Sequence, residues 1–285
     1  MTTLQSAALS YLAFSRVNHS PGTTTRIKYV LDRFLQFAGR DTALTQITPS
    51  TIESFKEKRI TEIRVSSLNI EIRHLKAFFR WLLRMSISTA NPASEIKQIR
   101  DREERKGALN RDEIRRLLAH IPKGTKRELI RLALLTAMRR GELCQLRISD
   151  IDWKNSELVV RASHAKSGKS RRVPLSGAAV SILRRLARGE KSEFVFTYPS
   201  KRYLNRRITE RQASQIVTDA RKAAGLPGWI HFHSLRHTAI TLMLESGADV
   251  VSVRDIAGHS SIAVTDRYSH SGSEQRHRAV GMVRV

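Results

Sequence analysis

The sequence predicts a mainly α-helical chain of two domains, with one small antiparallel β-hairpin or sheet in the second. Three observations carry that expectation. Apolar residues recur every three or four positions through the first hundred residues. A short, charge-dominated segment then breaks the pattern. Beyond it the helical period gives way once, around residues 158–175, to short β-branched runs before resuming. A chain of 285 residues that is 40% apolar is long enough for two medium domains with their own cores.

The first domain is assigned to residues 1–98 and should be a bundle of four or five short helices. Thr23 to Thr25 offer N-caps to a run with Ile27, Val30, Leu31, Phe34, Leu35 and Ala38 on one face, which Gly39 can close. Thr48-Pro49 is a cap followed by proline at the first helical position, leading into Ile52 and Phe55. Val65, Leu68, Ile72, Leu75, Phe79 and Leu82 make another helical face, and Asn91-Pro92 is the expected stop.

Residues 99–108 are assigned to a linker that overlaps the segment KQIRDREERKG (residues 97–107), where Ile99 is the lone branched apolar side chain. Asn110, with Glu113 three residues on, has capping-box spacing and opens the second domain, residues 109–285. Helices are expected from Ile114 to Ile121 and from Leu129 to Leu146. Leu158-Val159-Val160 and Arg172-Val173-Pro174-Leu175 should be strands flanking the polar loop Ser163 to Ser170. Helices resume at Ser176.

The charge balance names the class of partner. Lys and Arg number 51 against 26 Asp and Glu, a net charge of +25. On a chain with enough apolar content to fold, such an excess points to a polyanion, because Lys and Arg release counterions when they pair with phosphates. Residues 1–100 carry +8, residues 101–230 carry +16 and residues 231–285 only +1, yet that last segment holds six of the ten histidines. The excess therefore suits grip, and the histidine-rich end suits chemistry.

Several classes are excluded. Cys144 is the single cysteine, so disulfide frameworks, Cys-based zinc fingers and iron–sulfur clusters are out, and a reducing cytoplasm is expected. Cys144 itself reads as a small core residue. No apolar run is long enough to span a bilayer. The start, MTTLQSAALSYLAFSR, does not read as a signal peptide. No glycine-rich phosphate loop of Walker type occurs, so ATP is not implied.

Four clusters hold reactive side chains: Thr136 to Leu143 with Arg139 and Glu142; Ala165 to Leu175 with Lys166 and Lys169; His233 to His237 with Arg236; and Gly258 to His270 with His259 and Tyr268. Arginine presents a planar fork to two phosphate oxygens and keeps its charge, and two of them can neutralise a phosphoryl transition state. A tyrosine hydroxyl becomes a useful nucleophile when a positive pocket favours the phenolate and a histidine takes the proton. This inventory suits phosphodiester chemistry without a divalent ion. His231, His233 and His237 invite a zinc reading, but Ser234 and Leu235 stand where a carboxylate would be wanted, so no metal site is expected.

At these residues the sequence resembles the tyrosine recombinases, the phage integrase family. Arg139 and Glu142 match the first arginine motif, with Ala137 where the family usually has glycine. Alanine is a good helix former, so little consequence is expected there. Lys166 matches the hairpin lysine and precedes the typical Arg-x-Val-Pro-Leu ending, although Lys169 lies in the same loop. His233 and Arg236 match the His-x-x-Arg box, His259 the Gly-His motif, and Tyr268 the nucleophile nine residues later. Tyr198 and Tyr203 compete for that role but sit in a basic loop without the partner histidine.

The resemblance spans nearly the whole chain and implies a helical, SAM-like core-binding domain, a charged linker and a catalytic domain of the DNA breaking-rejoining fold, clamping duplex DNA. It implies site-specific recombination through a 3′-phosphotyrosine on Tyr268, with Arg139, Arg236, His233 and His259 on the phosphate oxygens. Lys166 would protonate the leaving 5′-oxygen and Glu142 would play a supporting part. No cofactor, metal or ATP is implied. The expected partners are a double-stranded DNA site and further copies of the chain, as a homotetramer on two sites in the cytoplasm, close to the nucleoid. An Xer-like or small-integrase architecture fits best. The tail from about residue 271, with Ala279, Val280, Met282, Val283 and Val285, is of a kind that the family often docks onto a neighbouring protomer. A type IB topoisomerase shares the chemistry without site preference, and a DNA-binding regulator would keep the fold without needing Tyr268.

Overall fold

A computed structural model describes residues 2–100, 107–162, 169–188, 192–197, 206–259, 261 and 265. The chain forms two compact units, Met1–Glu104 and Arg105–Val285.

The first unit contains α1 (Leu4–Asn18), α2 (Pro21–Ala38), α3 (Pro49–Ile60) and α4 (Val65–Arg84). The apolar faces read from the sequence form its core: Phe34, Phe55, Ile72, Leu75, Phe79 and Leu82 are almost wholly buried. The rings of Phe55 and Phe79 stand edge-on to Phe34, at 5.3 and 6.1 Å between centroids. Arg59 of α3 and Glu71 of α4 form a buried bidentate pair, at 2.9 and 2.7 Å.

The caps agree with the sequence in part. Thr48 caps α3 by accepting from the Thr51 amide, and Gly39 closes α2 with φ +91°. The α2 cap, however, is Ser20, with Pro21 in the first turn, so Thr23–Thr25 lie inside the helix. Polar threonines next to an apolar run look like caps, but the Ser-Pro step before them is the better start. Likewise α4 ends at Arg84, well before Asn91-Pro92. Ser86 takes φ +56°, and the amides of Ile87 and Ser88 both return to the Leu82 carbonyl, which closes the helix first. The segment after it still packs on the bundle, because the Asn69 side chain makes paired bonds with the backbone of Ile99 (2.8 and 3.0 Å).

The second unit contains α5 (Arg111–Ala119), α6 (Thr125–Thr136), α7 (Arg140–Cys144), β1 (Ile151–Asp152), β2 (Glu157–Val160), β3 (Arg171–Pro174), α8 (Gly177–Ala187), α9 (Glu210–Ala223), α10 (Phe232–Glu245) and α11 (Val250–Ala257). Asn110 and Glu113 make both halves of the expected capping box. Among the described residues the strands form one antiparallel sheet, β1-β2-β3, with Leu158 opposite Val173 and Val160 opposite Arg171. Leu158, Val160 and Val173 point into a core that α6, α8 and α9 complete. The helix expected from Leu129 to Leu146 is two helices, because the chain turns at Ala137 (φ +52°). A smaller apolar cluster, Ala137, Ala239, Ile240, Leu244, Val253 and Ala257, joins that turn to α10 and α11. Cys144 is buried, as expected of a core residue.

Candidate active site

The turn between α6 and α7, the N-terminal half of α10 and the C-terminal end of α11 meet above this small cluster. Each brings a residue singled out in the sequence. Arg139 is the N-cap of α7. His233 and Arg236 lie three apart on α10 and so share a face. His259 follows Gly258, which ends α11 in the left-handed conformation at φ +66°.

The arginines are held by main-chain carbonyls at the end of α11. Arg139 Nη2 donates to the Gly258 carbonyl at 2.6 Å. Arg236, only 4% exposed, donates through Nη2 to the Ala257 carbonyl at 2.7 Å and through Nη1 to the Ala137 carbonyl at 2.6 Å. A helix C-terminus leaves its last carbonyls without intrahelical partners and carries partial negative charge, so guanidinium groups are favoured there. A third guanidinium, that of Arg171 on β3, donates to the Ile256 carbonyl at 2.9 Å. Three consecutive carbonyls thus anchor three arginines from three elements.

Glu142 lies beneath them with its carboxylate 1% exposed. It accepts from the Arg139 amide (2.8 Å) and Arg139 Nη1 (2.9 Å), and from both terminal nitrogens of Arg171 (2.9 and 2.7 Å). Burial alone would push this carboxyl up. The hydrogen bonds and charge of Arg171 and Arg139 outweigh that and hold it below the usual carboxylate range.

The histidines are lowered too, but here burial and the neighbouring positive charge act together. His233 is pushed down to about 4 by burial, with the positive charges of its neighbours His237, Arg236, His231 and Arg139 adding to it. His259 is also pushed down to about 4, by burial and then by Arg236 and Arg139. Both rings are therefore neutral at pH 7, in the form that can take up a proton. His259 Nδ1 lies 2.9 Å from the hydroxyl of Thr265, a buried residue the sequence reading did not single out. The His233 ring stands edge-on to His237 at 4.7 Å, while His231 Nδ1 pairs with the Ser234 hydroxyl at 2.5 Å. No three His, Cys, Asp or Glu side chains converge as a metal would require among the described residues.

A depressed histidine pKa has a definite sign in folding. The unfolded rings bind protons near their ordinary 6.5 and the folded rings only near 4, so stability is fully present above 6.5 and is lost as pH falls toward 4. The melting temperature is expected to decline over that interval, and less steeply in a His233→Gln/His259→Gln variant. Equal slopes in the two proteins would refute this assignment.

Ala137 corrects an expectation. It is not inside a helix, so its helix-forming tendency is irrelevant there. It caps α6 in the left-handed region, where an L residue costs about 1–2 kcal/mol and glycine costs nothing comparable. Ala137→Gly also removes a buried methyl group, a loss of about 0.8 kcal/mol. Relief of the backbone strain outweighs that loss, so a small rise in thermal stability is expected, and a lower melting temperature would count against it.

The structure thus brings together Arg139, Glu142, His233, Arg236 and His259. Lys166 and Tyr268, with Tyr198, Tyr203 and the tail from residue 271, lie outside the described residues. Lys169 is described and exposed. The sequence reading missed Arg171 as a site residue. Its signal was the arginine that opens the Arg-x-Val-Pro-Leu ending.

Comparison with known proteins agrees on family and fold. Residues 108–275 match the Phage integrase family. The tyrosine recombinase XerC of Lactobacillus delbrueckii subsp. bulgaricus is 27% identical over 281 residues, covering 94% of each chain. The tyrosine recombinase XerA of Pyrococcus furiosus is 25% identical over 264 residues, covering 92% of this chain and 87% of its own. Among solved structures, a lambda integrase dimer bound to a core site is similar with TM-score 0.80 and 22% identity, over 97% of this chain and 79% of that one. The Tn1549 transposon integrase in complex with a circular-intermediate DNA is similar with TM-score 0.84 and 18% identity, over 99% and 100%. The fold is therefore the mainly helical one with a small antiparallel sheet that the sequence predicts.

Proposed function

Because this chain belongs to the phage integrase family, we propose that it is a site-specific DNA recombinase that cleaves and rejoins duplex DNA through a 3′-phosphotyrosine. The observation that carries the reading is the convergence of Arg139, Arg236, His233 and His259 at the end of α11. Glu142, the carboxylate beneath them, is committed to arginines, so the charge of the cluster is cationic with neutral imidazoles beside it. Such a site binds an anion and stabilises added negative charge on it.

The step balances without an external energy source. The Tyr268 hydroxyl oxygen attacks the scissile phosphorus and the bond to the 5′-oxygen breaks. A neutral imidazole, His259 or His233, takes the phenolic proton, and Lys166 supplies one to the leaving oxygen. Arg139 and Arg236 hold the non-bridging oxygens. One phosphodiester is exchanged for another, so a 5′-hydroxyl from a second strand reverses the step and completes strand exchange. Residues 1–98 act as the DNA-gripping domain and 109–285 as the catalytic one, joined through 99–108. The working assembly is four copies on two DNA sites. A lambda integrase tetramer has been solved on a Holliday junction, and that structure supports this reading.

The test is a nicked duplex built from the DNA repeats that flank the chain's own gene. The wild-type protein is expected to form a covalent adduct that survives EDTA, and Tyr268→Phe to form none. An adduct that persists in Tyr268→Phe, or requires a divalent ion, overturns the reading.

A further inference from the structure

We propose that Arg171 is a positioning residue for this reaction: it clamps the start of β3 onto Glu142 and onto the last turn of α11, and so sets where Arg139 and His259 present their donors. The inference rests on the recombinase reading of the site.

All three guanidinium nitrogens of Arg171 are engaged within the protein. Nη1 and Nη2 make two parallel bonds to the two oxygens of Glu142, at 2.9 and 2.7 Å, and Nε donates to the Ile256 carbonyl at 2.9 Å. The side chain is 11% exposed. The same carboxylate holds Arg139 through its amide and Nη1, and Arg139 Nη2 reaches the Gly258 carbonyl. The contacts form a closed circuit: β3 to Glu142, Glu142 to Arg139, Arg139 to Gly258, and back from Ile256 to β3. His259 is the next residue in the chain after Gly258.

Gly258 shows how tightly the circuit is drawn. A Cβ there would lie 2.9 Å from Arg171 Nε, 3.0 Å from its Cδ and 3.1 Å from its Cζ. The arginine therefore packs directly on the backbone that leads into His259. The other end of the clamp is equally fixed, since Arg171 pairs with Val160 across the sheet and Val173, two residues on, is fully buried. Bidentate recognition needs the guanidinium fork. Lysine keeps the charge but can neither bridge both carboxylate oxygens nor reach the Ile256 carbonyl at the same time.

Full-length Arg171→Lys and Arg171→Ala variants test this, with adduct formation on the nicked duplex measured at saturating DNA and DNA affinity measured separately. A positioning role predicts about a hundredfold loss in maximal rate for both variants, with affinity nearly unchanged, because small misplacements of donors act on the transition state. Arg171→Ala should add little to the loss already caused by Glu142→Ala. Where Arg171→Ala fails to fold, Arg171→Lys decides. A maximal rate near wild type in Arg171→Lys, or an affinity that falls in step with the rate, overturns the proposal. If the wild-type protein forms no Tyr268-dependent adduct, the recombinase reading fails, and histidine-ring NMR then judges Arg171 by itself. His259 titrating at higher pH in Arg171→Lys sustains the clamp, and an unmoved titration overturns it.

Discussion

Arg236→Lys is expected to slow covalent-adduct formation by about a thousandfold or more, the scale on which a single arginine supports phosphoryl-transfer transition states. The reason is geometric. Arg236 is buried and spans two elements, with one terminal nitrogen on the Ala137 carbonyl and the other on the Ala257 carbonyl. A lysine has one nitrogen at the end of a flexible stem, so it cannot satisfy both carbonyls and still meet a phosphate in a fixed orientation. Net charge is unchanged, so the affinity for uncleaved DNA should hold. Gel-shift affinity and single-turnover cleavage, measured on the same preparation, separate the two effects. A rate within tenfold of wild type would remove Arg236 from the reaction.

Glu142→Ala should be the most destabilising single change in the site, by about 3–5 kcal/mol, the usual result of removing one partner from a buried ion pair. The carboxylate is 1% exposed and accepts four hydrogen bonds from two arginines. Without it Arg171, itself mostly buried, keeps its charge with no counterion. Glu142→Gln keeps the shape and one acceptor oxygen and should lose less. The carboxyl is held below its ordinary 4.5, so its contribution is fully present above that value and is lost as pH falls through the lowered one. Urea unfolding of the full chain at pH 7 reads the loss directly, and a change of less than about 1 kcal/mol would mean that the pair is not buried in solution.

Local signals in the sequence were reliable where one short stretch decides the outcome. Thr48-Pro49, Gly39 and the Asn110–Glu113 box behave as their chemistry dictates, since capping depends on atoms within a single turn. The apolar faces became cores because their helical repeat is written within each single helix. Misreadings arose where two local signals compete or where the decisive partner is distant. The apolar run continues across Ala137, and alanine gives no hint of a left-handed turn, so one helix was expected in place of two. Strand β1 has two residues, too few to show any period. The link from Glu142 to Arg171 spans 29 residues and exists only once the hairpin folds back. The candidate site shows the same division. Arg139, His233, Arg236 and His259 are recognisable by type and order, whereas the main-chain carbonyls that hold the two arginines have no letter in a sequence.

That last feature decides which kinds of genetic change the site tolerates. Residues 256 and 257 act in the site through backbone oxygens, while their side chains pack against the apolar cores. A gained or lost residue in α11 is different. It would turn the helix end by about 100° relative to its start, and all three carbonyls would leave their arginines at once. For this helix, the number of residues bears on all three arginines at once, whereas a side-chain change bears on its own packing alone.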